Sequence, residues 1–139
     1  MHVLDHFEKE YPEDDRPRKA IAACRRWART GVFHMADIRK ASLSAHAAAR
    51  KAKAEGHDAA CFAARAAGHS VATAHVHTHA FGPSFYALKA VAAADPAHAE
   101  ADMAREHDWQ SRRIPKGLMK IWREWESRRN SPAANAHAS

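Results

Sequence analysis

Glycine is scarce in this chain, at five residues of 139, and cysteine scarcer still, at two. With so few glycines there is no glycine-rich phosphate loop, and neither a GxSxG motif nor a nucleotide-binding βαβ pattern occurs, which removes most common enzyme classes. Cys24 and Cys61 stand apart among apolar positions with no CxxC, so the pair reads as buried thiols of a cytosolic protein rather than a zinc or redox motif. No apolar run approaches the roughly 18–20 residues of a membrane span. The amino-terminal MHVLDHFEKEYPEDD is too acidic for a targeting segment. Alternation of apolar and polar residues between turn signals is also missing, so strand content should be near zero.

What the chain has instead is alanine, about a quarter of all residues, together with twelve histidines and a net charge of +6. Alanine is the best helix former but removes little surface from water. Stability must therefore come from close helix packing around a few large anchors, among them Trp27, Phe33, Phe62, Phe81, Phe85, Tyr86, Trp109, Trp122 and Trp125. The length suits one domain with a real core. The expected architecture is all-α: a single-domain bundle of five or six antiparallel helices spanning 1–130, with a disordered tail over 131–139.

The central element should begin near His57 or Asp58 and reach Gly82-Pro83, where proline forbids simple continuation. From Ala59 to Ala80 almost every residue is Ala, Val, Gly, Ser, Thr or His, so no face carries the charge of a surface helix. Ala60, Ala64, Gly68 and Ala72 repeat every four residues, a small-residue ridge that lets neighbouring backbones come close.

Other helices should surround this one. A short segment from Val3 to Tyr11, with Val3, Leu4 and Phe7 inward, stops at Pro12. Asp14 or Asp15 caps the next helix, Pro17 sits in its first turn, Ile21, Cys24 and Ala28 line it, and Gly31 ends it. A helix from Ala36 to Glu55 buries Ile38, Ala41, Ala45, Ala48 and Ala52 before Gly56. Ser84 to Ala94 follows, with Phe85, Leu88 and Val91 inward. Asp95-Pro96 opens a helix through Gln110 anchored by Met103 and Trp109. The last, Lys116 to Arg129, sets Leu118, Ile121, Trp122 and Trp125 against a charged face. Cys24, Cys61, Phe85, Leu88, Ile121 and Trp125 are the expected core.

Two clusters could carry chemistry. In AHVHTHA, helical geometry would set His75 and His79 one turn apart on one face and His77 opposite. HxxxH is a two-ligand start for zinc, but Val76 stands where a metalloprotease has glutamate, and a third ligand would have to come from Asp14, Asp15, His46 or His107. The plainer reading makes His75 and His79, like His46 and His69, interior polar groups hydrogen-bonded to carboxylates or carbonyls. The second cluster is Asp14-Asp15-Arg16-Pro17-Arg18. A capped helix start accounts for all of it, while a binding role would have Arg16 and Arg18 grip a partner's carboxylate or phosphate as the aspartates steady the histidine pair.

The stretches DDRPRKAI (14–21), AHAAARKA (45–52), ARAAGHSVATAHVHTHA (64–80), YALKAV (86–91) and DWQSRRIP (108–115) together resemble the immunity-five-like family of small helical bacterial immunity proteins. DDRPRKA and GHSVATAHV are the specific parts. The resemblance runs from Asp14 to about Leu118, and it implies an all-helical, non-catalytic cytoplasmic protein, without cofactor, that binds and neutralises a cognate toxin. Nuclease inhibitors tend to be acidic, so the basic charge here points to a toxin with an acidic surface. Two alternatives of other classes stand beside it. One is a small metal- or ligand-binding protein using His75 and His79; the other is a basic helical nucleic-acid binder whose attraction would be weak and salt-sensitive.

Overall fold

A computed structural model describes residues 2–129. Among these residues there are seven α-helices and no strand. The all-α expectation holds, with one or two helices more than the five or six expected. The tail over 131–139 lies outside the described residues. By its internal contacts the chain divides into two compact units, with the boundary between Glu106 and His107.

The first unit begins with a 3-10 turn, His2–Leu4, running into α1, Asp5–Glu10. Then come α2 (Arg16–Thr30), α3 (Met35–Ala54), α4 (Asp58–Ala72) and α5 (Gly82–Ala94). A 3-10 turn, His77–Phe81, precedes α5. Another, Pro96–His98, leads into α6 (Ala99–Ser111), which contains the boundary. Two stops come from glycine in the left-handed region that side chains disfavour: Gly31 at φ 66° closes α2, and Gly56 at φ 83° separates α3 from α4.

The central helix is α4, packed against α1, α2, α3 and α5. Its Ala60, Ala64, Gly68 and Ala72 are all buried, so the small-residue ridge is the contact surface. Ser42 on α3 donates across this contact to the Gly68 carbonyl at 3.1 Å. Two hydrophobic clusters lie along α4. Near its start, Cys61, Ala63 and Ala64 meet Val3, Leu4 and Phe7 with Ala48, Ala49 and Ala52 of α3 and Ala87 and Ala90 of α5. Toward its end, Ala67 and Val71 meet Ala20, Ile21, Ile38 and Ala45.

Several anchors differ from expectation. Phe7, Val3, Val71, Pro17 and Cys61 are the largest fully buried side chains, so α1 supplies the biggest buried ring. Cys24 and Phe85 are only partly buried, and Ala28 is exposed. Phe33 and Met103 face solvent. The physical reason is the alanine content: helices that pack at alanine and glycine distance leave little internal volume for large rings.

The second unit holds the end of α6, a 3-10 turn at Lys116–Leu118, and α7, Met119–Arg129. Here Trp122 is buried and Trp125 partly so, with ring centroids 5.3 Å apart. Ile121, expected in the core, is 52% exposed, and Leu118 and Trp109 are exposed as well. His107 pairs with the Glu126 carboxylate, and Arg113 lies 3.9 Å over the Trp109 ring.

Candidate functional site

The expected long helix through the histidines ends early, at Ala72. The sequence explains why: Ser70 donates to the Ala67 carbonyl at 2.8 Å and Thr73 to the His69 carbonyl at 3.0 Å. Such local bonds weaken a helix end. Beyond it, β-branched Thr73, Val76 and Thr78 alternating with histidine are poor helix formers. His75 and His79 therefore do not share a helical face. His75 is in an exposed turn and His79 in the 3-10 turn, with ring centroids 6.4 Å apart.

What the fold does assemble is a different set, His46 from α3, His69 from α4 and His79. The His69 ring is 5.1 Å from that of His46 and 4.9 Å from that of His79, each edge-on or steeply inclined. Tyr86 of α5 stacks on His69 at 5.1 Å, and the Arg65 guanidinium lies 5.8 Å over the Tyr86 ring. Two glycines make room. A Cβ on Gly68 would stand 2.8 Å from His46 Nε2, and one on Gly82 would stand 2.7 Å from His69 Cγ.

The Nδ1 atoms of His69 and His79 are buried without a hydrogen-bond partner. These are not the fully satisfied interior histidines of the plainer reading, and an exposed His75 is not interior at all. Burial pushes the His69 imidazole down to about 4, helped by His46, His79 and Arg65 nearby. Burial also lowers His46, with Arg65 and Arg50 adding to it. A neutral imidazole that resists protonation this strongly is a poor general base at neutral pH. Among the described residues, no group of three His, Cys, Asp or Glu side chains is placed to hold a metal ion.

The Asp14 to Arg18 cluster is brought together differently. Asp14 Oδ1 accepts from the Arg16 backbone N–H at 3.2 Å and from Arg16 Nε at 2.8 Å. The guanidinium beside it holds the Asp14 carboxyl below its usual range. Asp15 occupies the cap position without a side-chain capping bond and pairs with Lys19 at 2.9 Å. Arg18 forks onto the Glu8 carboxylate at 2.7 and 2.5 Å, tying α2 to α1. Both arginines are thus engaged within the chain, and the two aspartates face arginine and lysine rather than the histidines.

Sequence reasoning missed Arg65 and Tyr86. The signal for Arg65 was present: it precedes His69 by four residues and so shares its helix face. Nothing local marks Tyr86, which reaches His69 only because α5 folds back against α4.

The family described as "Imm-5 like putative immunity protein" matches residues 1–117. The chain belongs to this family. Its Imm-5 like region extends to the first residue, so it includes α1, which the resemblance read from Asp14 onward left out. It also includes the whole histidine cluster and all of α2 to α6, whereas α7 lies beyond it. No curated protein and no solved structure matches the chain. No helix among the described residues is long and apolar enough to cross a membrane.

Proposed function

We propose that this immunity protein acts by binding a cognate bacterial toxin and blocking it, without catalysis of its own. The observation that carries the reading is the family match over residues 1–117, which takes in the entire first unit. The chemistry of the interior agrees with it. The half-buried imidazole of His69, its Nδ1 shut off from solvent, is held neutral. The Cys24 thiol is pushed up by burial and is a weaker nucleophile for it. A body of closely packed helices offers a preformed surface, which lowers the entropic cost of association.

The test is co-expression in a bacterial host with candidate toxin domains drawn from the genes that neighbour this one. The expected outcome is growth arrest by the toxin alone and restored growth with the chain present, with the two proteins co-purifying. Arrest that persists despite abundant folded chain would defeat the reading.

A further inference from the structure

Large apolar side chains in the first unit are exposed mainly in one place. Val32 and Phe33 lie in the connection between α2 and α3, Met35 opens α3, and Leu43 follows two turns later. Val32 is 59% exposed and Leu43 62%. Met35, Arg39 and Leu43 are spaced by four residues, so they form one stripe on the outer face of α3.

The sequence that carries this patch is mostly of one charge sign. Between Arg25 and Leu43 there are five Arg or Lys residues and a single carboxylate, Asp37. Arg25, Arg26, Arg29, Arg39 and Lys40 are all exposed. Among the described residues none of these five side chains takes part in an ion pair, so their charge is open to a partner. Exposed apolar residues flanked along the chain by exposed cations without ion pairs have the composition of an interface that lacks its complement. Arginine in particular is enriched where binding energy concentrates.

We propose that the α2–α3 turn and the outer face of α3 form the docking surface for an acidic protein partner whose contact patch has an apolar centre and a carboxylate rim. This rests on the immunity reading and names the surface it would use. Charge decides the occupant. A second copy of this chain, paired through the same face about a twofold axis, would bring like charges together. Nucleic acid would neutralise the arginines but leave Val32, Met35 and Leu43 without apolar partners, since such interfaces are markedly polar.

The experiment pans a random dodecapeptide library on the full chain and then measures the most enriched peptide by fluorescence anisotropy. The expected consensus carries several Asp or Glu around one or two apolar residues. Its affinity should fall at least tenfold in R26E/R29E and also in V32S/M35S, and stay within twofold in the control R112E/K116E. A consensus without acidic residues, or affinity unchanged by both test variants, overturns the proposal. So does a 20-nucleotide single strand that competes as well as the peptide. In the co-expression assay, a wild-type chain that fails to restore growth defeats the immunity reading. Rescue that survives R26E/R29E and V32S/M35S defeats only the surface assigned here.

Discussion

Gly82 lies against the root of the His69 side chain, so that a Cβ added to it would come 2.7 Å from His69 Cγ and 2.8 Å from His69 Cβ. Atoms that close to the backbone cannot swing aside. Gly82→Ala should therefore cost about 1–3 kcal/mol, the usual range for overpacking. Gly68→Ala meets only the far end of the His46 ring, at 2.8 and 2.9 Å, and alanine is the better helix former. Its cost should be smaller, and His46→Ala in the same chain should remove most of it. Urea unfolding of the single and double variants checks this; a Gly82→Ala protein as stable as wild type would contradict it.

Stability should fall as pH drops from 7.5 to 5. In the unfolded chain His69 takes up a proton near its ordinary 6.5, but in the folded chain only at about 4. The unfolded state thus binds more protons through that interval, and stability present above 6.5 is lost progressively as pH falls toward 4. His46 and His6, also lowered chiefly by burial, act in the same direction. The urea midpoint should be lower at pH 5 than at 7.5, with a shallower dependence in His69→Gln. A midpoint independent of pH across this range would refute the partial desolvation of these rings.

The two thiols should differ in reactivity. Cys61 is fully buried in the α1–α4 cluster, while Cys24 is partly exposed and donates to the Ser70 carbonyl at 3.2 Å. Burial raises the Cys24 thiol, which reduces its thiolate fraction. A bulky disulfide reagent should label Cys24 slowly in the native protein and Cys61 only on unfolding. Fast labelling of both would be incompatible with the packing of α4.

Much of the helical layout was legible because capping and stop residues act locally. Asp15-Arg16-Pro17 opens α2, and Gly31 and Gly56 close α2 and α3, whereas Gly82-Pro83, expected to stop the central helix, instead forms the first turn of α5, which was expected from Ser84. The end of α4 was not, since the small, uncharged composition continues past Ala72 while serine and threonine back-bonding and β-branching end the helix there. That single difference dissolved the His75 and His79 pair and left His46, His69 and His79 to be joined by tertiary packing. The burial of α7 was misjudged for a related reason: an amphipathic stripe marks which residues are apolar, and of that stripe Trp122 is buried whereas Ile121 and Leu118 are not.

The central claim, that the chain works by binding rather than by catalysis, is tested most directly by titrating a fixed amount of the purified cognate toxin with the chain and following the toxin's activity. A tight binder gives a linear loss that ends at a fixed molar ratio, and the account predicts that break near equimolar, unchanged by longer incubation. Complete loss of toxin activity at a small fraction of that amount, growing with time, would show turnover and contradict the account.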